Sequence, residues 1–219
     1  YINLKIPDKK WKEIGEYLGS FVNLGKDETV LDFLIIDDFG VQSNVLLASK
    51  DGTIKQVPLS SLQASRISKT YSAMPCRKIN PLVAVDLSGE YDTDIIVVSK
   101  NGYVLKYATD EVPVLSQTAR GVKGMNLRED DLVGAVYGSS TSKDEIIFLT
   151  NRGAIKREFL ANIERGHRPA KGKAYLKTVK TNPYEFVGAV STNVFYLKNL
   201  VTLHIQCETE ALLIKGDDL

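Results

Sequence analysis

The chain has 219 residues, 43% hydrophobic and 25% charged, the balance of one large folded domain or two small ones and not of a disordered tail. No apolar run approaches the ~18 residues that span a bilayer, and Tyr1-Ile2-Asn3-Leu4-Lys5 carries no signal-peptide pattern, so a cytoplasmic protein is expected. The formal charge is only +1, yet it is segregated: −3 over residues 1–44, +7 over 45–180 and −3 over 181–219.

A segregated positive zone is the footprint of a polyanion-binding surface, although a lysine-rich solvated face gives the same count. Cys76 and Cys207 fit neither a disulfide scaffold nor a C-x-x-C metal site, which favours a reducing compartment.

In chain order, Ile2–Pro7 resembles the returning strand of a hairpin that recurs later, so the chain is expected to begin inside a repeat of something longer. Trp11, Ile14 and Leu18 fall at helical spacing behind Asp8 and predict a short packing helix. Phe33–Ile36 reads as a strand. Then comes the dominant signal, an ungapped self-similarity of Val45–Lys55, Ile95–Leu105 and Ile146–Lys156. In each, four apolar residues precede a turn whose glycine is Gly52, Gly102 or Gly153, spaced 50 and 51 residues apart. Asp51-Gly52 and Asn101-Gly102 suit a type I′ turn, which requires two positive φ angles; Arg152-Gly153 suits it less.

A further strand stands about ten residues before the later hairpins, at Val83–Val85, Val133–Val136 and Val187–Val190. The last copy predicts a fourth hairpin from Leu200–Ile205 and Ala211–Lys215. A unit of ~50 residues with about four strands has the dimension of a propeller blade, and blades bury their faces by stacking around an axis. The fold expected is all-β, with blades near 1–29 (partial), 30–80, 81–131, 132–185 and 186–219 (divergent), apolar residues at the axis and basic turns at the rim.

Between the hairpins lie loops rich in cations and glycine: Ser68–Lys78, Ser116–Met125 and Arg165–Lys173. Glycine lets a backbone approach a phosphate, and Arg or Lys adds charge-assisted hydrogen bonds. One such loop is a solvated turn; recurrence at the same place in successive blades predicts a continuous positive track. Asp37-Asp38, Asp92-Thr93-Asp94 and Asp130-Asp131 read as turn and solubility residues, not a magnesium site. There is no P-loop, no dinucleotide fingerprint and no Ser/His/acid set, with His204 in an apolar strand, so no catalysis is expected.

The repeat I-I-x-x-[ST]-x-x-G-x-[IV]-K followed by Thr118-Ala119-Arg120-Gly121-Val122-Lys123-Gly124-Met125 resembles the C-terminal domain of bacterial type IIA topoisomerase A subunits, most closely over Ile95–Leu132. Ile6–Gly15 is similar to an early stretch of that domain in topoisomerase IV. The resemblance implies a β-pinwheel, a propeller-like ring of five or six four-stranded blades whose basic rim binds and bends double-stranded DNA in the nucleoid. It places no cofactor, metal or catalytic residue in this C-terminal part; DNA cleavage lies N-terminal, and ATP and Mg2+ act through other domains and the B subunit of topoisomerase IV. Gyrase A subunits carry a Q-R-R-G-G-K-G box, and Gln117–Gly124 is only a cousin, which favours topoisomerase IV over gyrase.

The residues then expected to contact DNA are Lys50, Lys55, Lys69, Arg77, Lys78, Lys100, Lys106, Arg120, Lys123, Arg152, Lys156, Arg157, Arg165, Arg168, Lys171 and Lys173. A propeller that scaffolds another protein, with the acidic ends as docking surfaces, is the competing reading.

Overall fold

The computed structural model describes residues 9–22, 24–25, 28–34, 36, 38–63, 70–140, 143–177, 179 and 181–192, and the backbone of 202–206 and 211–215. Among these the regular elements are thirteen strands and four single-turn 3-10 helices, with no α-helix.

Each expected hairpin forms: β1 (Asn44–Ser49) with β2 (Thr53–Pro58), β4 (Asp94–Ser99) with β5 (Tyr103–Ala108), and β8 (Glu145–Thr150) with β9 (Ile155–Phe159). Their turns are not type I′. The glycine N–H donates to the carbonyl three residues back, at Ser49, Ser99 and Thr150, and only the glycine has positive φ, at 78°, 87° and 75°. That is the three-residue loop with a glycine bulge. Asp51, Asn101 and Arg152 therefore keep ordinary backbone angles, and Arg152 is no misfit.

The strands at 83–85, 133–136 and 187–190 also form, as β3 (Leu82–Leu87), β7 (Leu132–Gly138) and β11 (Phe186–Thr192). They pair backward, however: β3 with β1, β7 with β4 and β11 with β8. The outer places are filled from further along still. β6 (Val122–Lys123) pairs with β2, and β10 (Lys173–Ala174) pairs with β5. The sheets run β3-β1-β2-β6, β10-β5-β4-β7 and β11-β8-β9, followed by the hairpin of β12 (Thr202–Gln206) and β13 (Ala211–Lys215). A complete sheet thus draws its strands from two successive spans of those expected from sequence, so these spans cut across the sheets.

The continuous apolar runs have a simple cause. Side chains alternate faces along a strand, and the middle sheet has a neighbouring sheet on both sides. Ile95 and Val97 pack with Leu46, Ala48 and Ile54 of the first sheet. Ile96 and Val98 pack with Ile146 and Phe148 of the third. The inner strands β3, β7 and β11 line an axial cavity of about 350 Å³, together with Leu31, Asp32 and Leu34.

Two expectations fail at the N-terminal end. Trp11 and Ile14 are almost fully exposed and form no helix; the ordered turn is a 3-10 turn at Leu18–Ser20. The described residues of 33–36 belong to no sheet. The strand expected at Ile2–Pro7 lies outside the described residues.

Candidate nucleic-acid interface

The outer edge of a sheet is where backbone groups are left over, and here the basic loops take them up. The loop before β6 first runs parallel to β2: Gln56 N donates to Pro113 O (3.2 Å) and Leu115 N to Gln56 O (2.8 Å). It then bulges out and returns antiparallel, with Val122 opposite Ile54 and Gly124 N donating to Gly52 O (2.8 Å). The loop before β10 repeats this course on the middle sheet, where Gly166 N donates to Lys106 O and Tyr175 N to Gly102 O, both at 2.8 Å. Each return needs glycine. A Cβ on Gly121 would lie 2.6 Å from Ile54 O and one on Gly172 2.4 Å from Val104 O, and both have positive φ.

The two loops join. Arg168 Nη1 donates to Lys123 O (3.0 Å), and Asn126 N to Ala170 O (2.9 Å). Arg120, Lys123, Arg168, Lys171 and Lys173 consequently belong to one outer band across two sheets.

Of the fifteen expected cations that the structure describes, two are not on the surface. Lys55 is fully buried, and its ammonium donates to Ser116 O (2.9 Å), Gln117 O (3.0 Å) and Ala119 O (2.8 Å). Lys106 is 3% exposed and donates to Leu160 O (2.7 Å) and Ser140 Oγ (2.8 Å). Alternation carries Lys106, opposite Ile96, onto the face between the middle and third sheets, and Lys55, opposite Leu47, onto the face of the first sheet turned away from the middle one; burial lowers the pKa of both. They hold neighbouring loops and cannot reach a ligand at the rim. Lys69 lies outside the described residues.

A second group is paired with carboxylates: Lys50 with Asp131 (3.3 Å), Lys100 with Glu185 (3.4 Å), Arg120 with Asp51 (3.1 Å), Arg157 with Glu145 (3.4 Å), and Lys173 with Glu164. Arg165 binds Asp94 through Nε (2.7 Å) and Nη2 (2.6 Å). Asp94 is fully buried, which corrects its reading as a turn and solubility residue. Burial alone would raise its carboxyl, but hydrogen bonds from Ser140, Arg165 and Thr93 bring it below the ordinary range. Asp130 and Asp38 do cap turns, accepting from Asn101 N (3.1 Å) and Gly40 N (2.7 Å).

A third group carries its charge over aromatic faces instead. Lys171 Nζ lies 3.9 Å from the Tyr103 ring centroid, Arg152 4.3 Å from Tyr184, and Lys156 5.0 Å from Tyr175. A ring seats a cation without cancelling it. Lys123, whose ammonium meets Asn126 Oδ1 (3.2 Å), and Arg168, whose guanidinium donates to the backbone carbonyls of Glu111 and Lys123, likewise form no ion pair with a described carboxylate. Arg77 and Lys78 lie in the 77–80 turn beside β3, whose Asn80 Nδ2 donates to the same Asp51 oxygen (3.2 Å) that Arg120 meets. The tyrosine partners carried no sequence signal, because they come from other loops and strands. Among the described residues no cluster of His, Cys, Asp or Glu could hold a metal, and no helix is long and apolar enough to cross a membrane.

Comparison with known proteins is consistent with this geometry. A family model described as the DNA gyrase C-terminal domain, beta-propeller, matches residues 43–69, 93–136 and 144–193. The A subunit of DNA topoisomerase 4 from Bacillus subtilis (strain 168) is 32% identical over 84% of the chain, and that from Staphylococcus aureus (strain MSSA476) 30% over 84%. The chain spans only 22% and 23% of those relatives. Among solved structures, the C-terminal domain of DNA topoisomerase IV aligns with a TM-score of 0.76 and 28% identity, covering 97% of this chain and 64% of that one. The DNA gyrase A C-terminal domain shares the fold, with a TM-score of 0.66 and 21% identity over 78% of this chain and 56% of that one.

Proposed function

The chain belongs to the family of DNA gyrase C-terminal β-propeller domains, in the branch of the topoisomerase IV A subunits, and from that premise we propose that its outer band binds duplex DNA without regard to sequence and bends it. The observation that carries this is the continuity of the two basic loops across adjacent sheets. Cations on a curved rim displace counterions along the phosphate backbone, so affinity falls steeply with salt. Phosphate contacts position the duplex but read no bases. Bending 20–30 base pairs costs roughly 1–6 kcal/mol, which several such contacts offset.

In the whole enzyme, the bent segment would be presented to the cleavage core for strand passage during decatenation and relaxation. The B subunit would supply ATP hydrolysis, Mg2+ would act in other domains, and the setting would be the cytoplasmic nucleoid. Wrapping of the gyrase kind is the second reading. It is less favoured because Gln117–Gly124 departs from the Q-R-R-G-G-K-G pattern.

The test is an electrophoretic shift with mixed-sequence duplex at two salt concentrations, for the unmodified chain and for a variant with Lys123, Arg152, Lys156 and Lys171 changed to alanine. Weakened binding with a flatter salt slope is expected. A protein-docking scaffold would give no shift, and an unchanged slope in the variant would move the interface elsewhere.

A further inference from the structure

A buried ammonium is ordinarily matched by a buried carboxylate. Lys106 has Asp94 nearby for this purpose. Lys55 forms no ion pair among the described residues, and its three donors go to three neutral carbonyls of one loop, those of Ser116, Gln117 and Ala119. Three donated bonds use all three protons of the charged form.

The consequence lies on the other side of the loop. In a trans peptide the N–H points opposite to the C=O, and the one cis bond among the described residues is Arg168-Pro169. With three carbonyls turned in toward Lys55 Nζ, the N–H groups of Gln117, Thr118 and Arg120 turn out. None of the three donates to a described residue. Convergent backbone N–H groups with positive charge behind them make an anion-binding concavity. Arg120, whose side chain is half exposed, stands at its edge with one guanidinium nitrogen on Asp51, and the Ser116 and Thr118 hydroxyls touch at 3.1 Å.

We propose that the Ser116–Arg120 loop is a phosphate cradle in which the outward N–H groups of Gln117, Thr118 and Arg120 grip one phosphodiester of the duplex while Lys55 holds the loop from behind. This rests on the DNA-binding reading above and assigns it a fixed anchor point. The sister loop supplies an internal control. Three residues past its turn glycine, the middle hairpin has Leu105 where the first has Lys55, and the loop before β10 has Pro169, with no N–H, where the first has Thr118. That loop offers side-chain charge without a backbone cradle.

The experiment is a titration of the isotope-labelled chain, followed at backbone amides, with inorganic phosphate and separately with a mixed-sequence duplex. The amides of Gln117, Thr118 and Arg120 should shift with both probes, while those of Arg168 and Lys171 should not shift with inorganic phosphate. Lys55→Leu introduces the residue the sister hairpin already accommodates; it should abolish these shifts and weaken duplex binding about tenfold. Thr118→Pro removes one donor and no charge, so affinity should drop with the salt slope unchanged, which keeps the idea testable if Lys55→Leu fails to fold. Duplex binding at unaltered affinity in Thr118→Pro and in folded Lys55→Leu overturns the cradle and leaves the DNA reading standing. So does a duplex that moves Lys123 and Lys171 but not the three amides, or a response to free phosphate alone. No duplex binding by the unmodified chain overturns the DNA reading itself.

Discussion

Arg165 and Asp94 show how much a single rim cation can be part of the interior. Removing the arginine leaves a fully buried carboxylate short of two charge-assisted bonds. We expect Arg165→Ala to cost about 2 kcal/mol in urea unfolding, and Asp94→Asn to recover part of it in that background. A loss of DNA affinity with no loss of stability would show that Arg165 acts mainly at the surface. Asp86, on the wall of the axial cavity, behaves oppositely. Burial pushes its carboxyl up to about 7 against the pull of the Tyr137 and Leu87 N–H groups. Between about 4 and 7 the native state then binds more protons than the unfolded chain, so Asp86 makes stability decline as pH rises through that window. Asp94, held low, contributes stability that is present above its unfolded pKa and lost as pH falls. Asp86→Asn should therefore flatten the fall in unfolding free energy from pH 5 to pH 8, by an amount on the order of 1–3 kcal/mol; an unaltered slope would exclude Asp86 as its source.

At the scale of elements, the middle strand β4 is buried along its whole length, with alternate residues in two different cores. Ile96→Ala is expected to cost about 3 kcal/mol. The glycines divide by surroundings, not by φ. Gly153 and Gly172 both have positive φ, but a Cβ on Gly153 meets nothing within 4 Å while one on Gly172 meets Val104 O. Gly153→Ala should cost only the backbone strain of about 1 kcal/mol. Gly172→Ala should cost clearly more and loosen the pairing of β10 with β5, seen as faster amide exchange in β10. Equal costs would mean that the loop simply moves aside.

On the scale of the whole molecule, exchanged strands tie distant parts of the chain into one cooperative unit. Val122 lies opposite Ile54 across 68 residues of chain. Under native conditions, hydrogen exchange of the β2 amides facing β6 should lose protection together with β6, not with the rest of the first hairpin's sequence neighbourhood. Independent loss would show that each repeat opens alone. The same exchange explains the open edge of β9: the outer place on its sheet has no partner among the described residues, and Ile155 and Phe159 are about half exposed.

Hairpins, turn glycines, inner strands and the all-β architecture were all legible in residue order, because each depends on neighbours within about ten positions. The glycine spacing and the apolar runs record a local requirement repeated three times. The recurrence of basic loops was equally legible, and so was the resemblance of Thr118–Met125 to its family's blade loop. Which hairpin each inner strand joins, and which sheet each loop closes, depended on contacts 30 to 70 residues apart that leave no mark in the local pattern. For the same reason Lys55 and Lys106 read as surface cations: a lysine beside a turn looks the same whether a distant loop or sheet covers it or water does. Charge and periodicity are properties of the chain, whereas burial, and with it the division of cations into those that hold the ring together and those that face outward, is decided only when the sheets pack.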